Sequence, residues 1–222
     1  YIALEDDYSD HNEAVTRYNL ANIAVVTGRY TEAIASYVQA IQIWKRIGRP
    51  FEEAVGLNAL AVALQGYGQD SEASATIERA NAIYQKLTPD PIFEAYLFNN
   101  RGSLNFSRGN YQEADRLFRS ARALLQNAPT QRYQAMQVQV NIAGVSSTLG
   151  RFEEALVLYQ QVLDFANQKK LEAMTAQVRF NIASVQIQQG DYQTAIATFL
   201  QILPIFQQYE MALDQARTIH NI

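Results

Sequence analysis

The sequence predicts an all-α fold, an α-solenoid of antiparallel helix pairs, and three observations carry that prediction. Gly28, Gly68, Gly109, Gly150 and Gly190 recur at spacings of 40, 41, 41 and 40 residues. Each is followed five residues later by an alanine: Ala33, Ala73, Ala114, Ala155 and Ala195. Seven residues before each stands a residue with little or no side chain, namely Ala21, Ala61, Gly102, Ala143 and Ala183. Self-similarity at a fixed period of this length marks a stacked repeat, in which each unit buries its apolar face against its neighbours.

Each of the five copies divides into two amphipathic helices. In the fourth, Ala155, Leu158, Tyr159, Val162, Phe165 and Ala166 fall at helical spacing and define the buried stripe of the second helix. The repeated glycine sits between the two helices, where a residue free to take positive φ can end the first. An aromatic follows it by two residues at Tyr30, Tyr111, Phe152 and Tyr192, with Asp70 the exception. Pro50, Pro89, Pro91 and Pro129 fall where one repeat turns into the next. Pro204 falls inside the last second helix and is expected to kink it. The small residues before and after the glycine mark places where helix backbones approach too closely for a longer side chain. Residues 1–8 read as the end of a preceding repeat, followed by repeats at 9–49, 50–89, 90–130, 131–171 and 172–211. Residues 212–222 read as the start of a further helix. With no polar-faced capping repeat at either end, the chain is expected to be a segment of a longer protein.

Composition removes several functions. A net charge of −4, with four lysines scattered among fourteen arginines, offers no basic stripe for a phosphate backbone, so nucleic acid is not an expected partner. No apolar run approaches the roughly 20 residues that span a bilayer. The absence of cysteine excludes disulfides, thiolate metal sites and a cysteine nucleophile. His11 and His220 lack a helical partner of ligand type. The carboxylate pairs Asp6–Asp7, Glu52–Glu53 and Glu153–Glu154 point to different helix faces, which suits solvated helix starts better than acid–base work. The Gly66-Tyr67-Gly68 run lacks the spacing and context of a phosphate loop. No enzyme activity, cofactor or metal is expected.

Small residue, glycine, aromatic, alanine, then Tyr37, Ile77, Phe118, Tyr159 or Phe199, and then Ala40, Ala80, Ala121, Val162 or Ile202, resembles the tetratricopeptide repeat. The resemblance covers nearly the whole chain. The period of 40 or 41 exceeds the usual ~34 residues and looks like the longer variety found in kinesin light chains, in the Pins/LGN polarity adaptors and in many bacterial arrays. HEAT and armadillo repeats share the length but not the motif. The resemblance implies a right-handed superhelix whose first helices line a concave groove that binds peptides or partner proteins.

On the implied groove face, nine residues before the glycine, stand Asn19, Asn100, Asn141 and Asn181, with Asn58 one place early where Ala59 takes the slot. Asparagine is a poor residue for a helix interior because its amide competes for backbone hydrogen bonds. An amide carries both donor and acceptor and so matches the backbone of an extended peptide whatever its side chains; similar ladders in the family clamp ligands in that way. The alternative is that each asparagine bonds a neighbouring helix and pins the stacking. Tyr18, Tyr96 and Phe180, one or four places before the ladder, and Asn22 and Ser103, one turn after it, extend the candidate site with aromatic and polar contact; for Phe180 a place in the core is the alternative. The family's carboxylate clamp is not expected, because the matching positions hold Val15, Val55, Tyr96, Gln137 and Gln177 on one row and Asn22, Val62, Ser103, Gly144 and Ser184 on another. Arg17, Arg101 and Arg179 are expected to be solvated or paired between repeats.

The expected function is thus a non-catalytic module holding a peptide or protein segment. Resemblance to arrays in bacterial transcription regulators and CHAT proteases implies an alternative, a sensor or regulatory segment of a larger signalling protein. Self-association through the solenoid ends is a third expectation.

Overall fold

The computed structural model describes residues 2–126 and 128–222, with side chains from residue 7 onward; Tyr1, Asn127 and the side chains of residues 2–6, Asp6 included, lie outside the described residues. Among the described residues there are eleven α-helices and no strand. They form two compact units, Tyr1–Ala128 and Pro129–Ile222.

The first unit holds α1 (Ile2–Val26), α2 (Tyr30–Arg46), α3 (Pro50–Gly66), α4 (Asp70–Tyr84), α5 (Pro91–Ser107) and α6 (Tyr111–Leu125). Each helix packs on the next in sequence, and α3 also touches α1 and α5, so the odd-numbered helices line one face. α1 runs unbroken from Ile2 to Val26. No glycine or proline interrupts the chain before Gly28. Pro50 and Pro91 open α3 and α5 at the first helical turn, where a missing N–H costs nothing. Asp90 caps α5, accepting from the backbone N–H groups of Ile92 and Phe93 at 2.9 and 3.0 Å. Tyr84 holds the preceding loop, its hydroxyl donating to the Asp90 carbonyl at 2.8 Å.

The second unit opens on a 3-10 turn, Pro129–Gln131, and holds α7 (Arg132–Thr148), α8 (Phe152–Gln168), α9 (Glu172–Gln188), α10 (Tyr192–Gln208) and α11 (Ala212–Asn221). Consecutive helices again pack together, and α7 touches α9. α10 continues through Pro204 as one helix.

The repeat motif has the same physical meaning in both units. Gly150 takes φ of +74°, its N–H reaching the Ser147 carbonyl at 2.9 Å and the Arg151 N–H the Ser146 carbonyl at 2.8 Å, which closes α7; its counterparts in the other repeats are also at positive φ. The small residues that flank the glycine by seven and five positions are all buried, Ala21, Ala143 and Ala195 completely. A Cβ on Gly102 would stand 2.7 Å from the Phe118 ring, so here even alanine is too large. Turns between repeats are built differently. Gly48 supplies the positive φ after α2, but Lys170 after α8 and Glu210 after α10 adopt it at 55° and 53° despite their side chains.

Candidate functional site

The first-helix face of the first unit brings four of the ten candidate residues, Tyr18, Asn22, Asn58 and Asn100, into contact with one another or with its aromatic core. α1 is amphipathic with Ala14, Ala21 and Ala24 buried, and this places Tyr18 and Asn22 at the edge between core and surface. The Tyr18 ring lies 5.5 Å from Tyr37 and 5.7 Å from Trp44, both tilted. The Tyr37 hydroxyl donates to Asn22 Oδ1 at 2.6 Å. Burial raises the pKa of Tyr18, partly opposed by its hydrogen bond to Asn22, and raises that of Tyr37 more strongly, with Tyr18 adding to it. Both therefore stay neutral donors throughout the physiological range.

One repeat further on, Asn100 of α5 donates through Nδ2 to Oδ1 of Asn58 on α3 at 3.0 Å, and Asn99 donates to Asn100 Oδ1 at 3.2 Å. Asn58 is only 7% exposed. Its one-place offset from the ladder register turns it by about 100° toward α5, so Asn58 rather than Ala59 meets the next rung. Ser103 donates to the carbonyl of Asn99 one turn back at 3.2 Å. Tyr96 is half-buried, and burial, followed by the charges of Asp90 and Tyr18, raises its pKa. Asn19 stands apart, exposed on α1, and its side chain makes no hydrogen bond to another described residue.

The second unit carries the other three candidates. Asn141 is half-buried on α7 and Asn181 half-buried on α9. The Asn181 side chain makes no hydrogen bond to another described residue. Phe180 is core, 5% exposed, with its ring 5.3 Å from Phe199 of α10. Tyr159 points at Gly144, whose added Cβ would lie 3.6 Å from the hydroxyl; burial alone raises the pKa of this tyrosine. Ser184 donates to the Phe180 carbonyl at 2.9 Å.

Of the arginines near the ladder, Arg17 pairs with Glu13 at 2.7 Å on its own helix and Arg101 with Glu78 of α4 at 3.3 Å. Outside the ten candidates, Tyr37 ties Asn22 down, and Arg217, His220 and Asn221 of α11 lie beside Phe180. Asn221 lies 40 residues after Asn181 and Arg217 four before it, the spacing of the earlier rungs, so the signal was present in the last ten residues.

A family model described as tetratricopeptide repeat matches residues 12–86, 93–168 and 134–208. The chain belongs to the tetratricopeptide repeat family. Among curated proteins, this tetratricopeptide array is 29% identical over 155 residues to the human pre-mRNA-splicing factor SYF1, which covers 64% of the chain and 17% of that protein. The chain thus spans about a sixth of the length of that relative. Among solved structures it resembles a kinesin light chain with TPR-like repeats from Podosopora anserina, with a TM-score of 0.65 at 20% identity, covering 88% of this chain and 95% of that one. It also resembles the signal transduction ATPase PH0952 of Pyrococcus horikoshii, which has a tetratricopeptide repeat sensor. There the TM-score is 0.73 at 14% identity, over 95% of this chain and 32% of that one. These structural likenesses establish the all-α solenoid fold. No described helix is long and apolar enough to cross a membrane.

Proposed function

We propose that this tetratricopeptide array is a non-catalytic interaction module whose first-helix faces hold an extended peptide or a segment of a partner protein. The observation that carries the reading is the state of the asparagines. Asn19 is exposed and Asn181 half-buried, neither with a side-chain partner among the described residues, although each is worse for its helix than alanine by several tenths of a kcal/mol. A side-chain amide kept there without an internal bond has both its donor and its acceptor free for a peptide backbone. Asn58 and Asn100 differ, since their mutual bond pins α3 to α5 and leaves them a supporting role. The family's general use as a protein-binding scaffold agrees with the reading.

The test is selection of random peptides on phage against the chain, followed by mapping of the bound peptide on the 15N-labelled protein. Shifts of the Asn19, Asn141 or Asn181 side-chain amides, and weaker binding after substitution of these residues by alanine, are the expected result. Peptides that shift only second-helix residues, or that bind equally well to the alanine variants, overturn it.

A second reading makes the array the sensor or regulatory part of a larger bacterial signalling protein, of the transcription-regulator or CHAT-protease kind. It is favoured by the likeness to an ATPase in which a matching array accounts for 32% of the chain. Sequencing of the flanking coding region separates the two: an adjoining helix-turn-helix or protease-like domain supports the second reading.

A further inference from the structure

Between α7 and α8 lies a hollow of about 510 Å³, a size at which small-molecule sites occur, and its lining includes Arg132, Met136, Gln139, Gln161, Asp164 and Phe165. At the equivalent place in the first repeat, between α1 and α2, the charges are paired with one another. There Arg17, eleven residues before the repeat glycine, donates to Gln39, eleven after it, and pairs with Glu13 at 2.7 Å. Asp10 and Arg46, eighteen before and eighteen after, pair at 3.1 Å. In the fourth repeat Arg132 and Gln168 stand where Asp10 and Arg46 did, and the acid has moved to Asp164. No ion pair ties Arg132 or Asp164 to any described residue. Arg132 lies instead over the Phe165 ring, 5.6 Å from its centroid, and this stacking orients the guanidinium before any ligand arrives. Asp164 accepts from Gln160 at 2.8 Å on one oxygen and keeps the other free. Gln139, only 5% exposed, donates to the Leu158 carbonyl at 3.1 Å and to Gln161 Oε1 at 2.8 Å. Both its amide protons are thereby used, and its own oxygen has no bond to a described residue. Each charge also stands at the helix end that disfavours it, since Arg132 is the first residue of α7 and Asp164 lies four residues before the last of α8. The macrodipoles therefore add positive potential beside the guanidinium and negative potential beside the carboxylate.

We propose that this hollow binds a free α-amino acid whose side chain carries an N–H donor, of the glutamine kind. The Arg132 guanidinium takes the ligand carboxylate through charge-assisted N–H···O bonds, and the ligand ammonium donates to the free oxygen of Asp164. The side-chain amide of the ligand donates to the buried oxygen of Gln139, and its methylenes lie along Met136. A ligand of one sign would pair one of the two charges and leave the other facing it unpaired, so a hollow positive at one end and negative at the other selects a zwitterion. The hollow lies between the first and the second helix of one repeat rather than along the first-helix face, so the inference is independent of the groove reading.

The experiment titrates the 15N-labelled chain with L-glutamine and, separately, with N-acetyl-L-glutamine, L-glutamine α-amide and L-norleucine, following the Arg132 Nε–H and the Gln139 and Gln161 side-chain amides. The expected result is a saturable shift of all three with L-glutamine. Binding should be weaker by about ten-fold with the N-acetyl compound, which lacks the ammonium, and with the α-amide, which lacks the carboxylate, each losing one charge-assisted pair. It should be weaker by about five-fold with norleucine, which lacks the side-chain amide. Arg132→Gln should abolish the discrimination against the α-amide, and Asp164→Asn that against the N-acetyl compound. No saturable shift of these three groups with L-glutamine overturns the site. Equal binding of L-glutamine and the two singly charged compounds overturns recognition of a zwitterion, and equal binding of norleucine overturns the role of the Gln139 oxygen. L-Glutamine is neutral overall and so leaves the ionic screening unchanged. Because the four compounds are compared on the unaltered chain, the outcome does not depend on how well either variant folds.

Discussion

Tyr37 in the first unit and Tyr159 in the second stand at the same place in their repeats, nine residues after the repeat glycine, and both are almost fully buried. Their hydroxyls meet different first-helix residues. Tyr37 donates to Asn22 at 2.6 Å, whereas Tyr159 faces Gly144, which offers no side chain. Phe118, at the same place in the third repeat, has no hydroxyl and lies against Gly102. The repeat sets where an aromatic goes, and the first helix opposite decides whether its edge is paired, packed or open. A similar contrast runs from rung to rung of the ladder: Asn58 and Asn100 bond each other, while Asn19 in the first unit and Asn181 in the second have no bond to another described residue.

The strongest way to break the comparison is at Gly102. A Cβ there already falls 2.7 Å from the Phe118 ring, so Gly102→Val forces ring and helix apart and should lose about 2–3 kcal/mol of unfolding free energy in urea. A loss no greater than at an exposed helix site would mean that Phe118 turns aside freely and that the contact does not fix the pairing of α5 with α6. Next comes the bonded rung. Asn100→Ala strands the acceptor of a residue only 7% exposed and should cost about 1–2 kcal/mol. A double-mutant cycle with Asn58→Ala should recover part of that loss, and strict additivity would show that the 3.0 Å bond contributes nothing.

The tyrosines themselves give a smaller and more direct contrast. Tyr37→Phe should cost about 1 kcal/mol, the contribution of one hydrogen bond, and Tyr159→Phe should be neutral or slightly stabilising. Equal losses would show that Tyr159 has a partner of comparable strength. The pH dependence has a definite sign. Burial raises both phenols above their unfolded value, so the folded chain loses stability as the pH climbs above about 10. Each Phe substitution should flatten that alkaline loss. Gly144→Ala sharpens the contrast from the other helix: its Cβ would meet only the Tyr159 hydroxyl, at an ordinary 3.6 Å. Removing a glycine from a helix interior should then raise stability by about 0.5–1 kcal/mol, the opposite sign to Gly102.

Much of this architecture is readable without coordinates, because the features that specify it are local. A glycine at positive φ, a small residue where backbones touch and an aromatic on the core side each leave a residue-type signature at a constant spacing, so the helix pairs and their turns follow from counting. What escaped counting depends on neighbours rather than on type. Lys170 and Glu210 take the left-handed conformation because the helix ends around them require it, and nothing in their chemistry announces this. Asn58 looks like a slipped rung in the sequence, yet the slip is what brings it to Asn100. Phe180 reads equally well as groove or core at its register, and only the ring of Phe199 at 5.3 Å decides for core. Arg217 and Asn221 repeat the ladder spacing, but nothing in that spacing announces that the guanidinium lies over the Phe180 ring.

The smallest effect bears most directly on why the ladder exists. Asn181 is half-buried without a partner among the described residues, so Asn181→Ala removes a poor helix former and breaks no internal bond. Stability should rise by a few tenths of a kcal/mol, against the loss expected for Asn100→Ala. The opposite signs of two chemically identical substitutions at the same register are the measurable content of the contrast between these two rungs. If Asn181→Ala instead loses about 1 kcal/mol or more, on the scale of a broken buried hydrogen bond, Asn181 is a stacking pin like Asn100. The case for an asparagine held in reserve for a ligand in the second unit would then fall. A gain in stability joined to a loss of affinity for a bound peptide would separate the two roles, since a group that only supports its helix cannot improve folding and weaken binding in the same substitution.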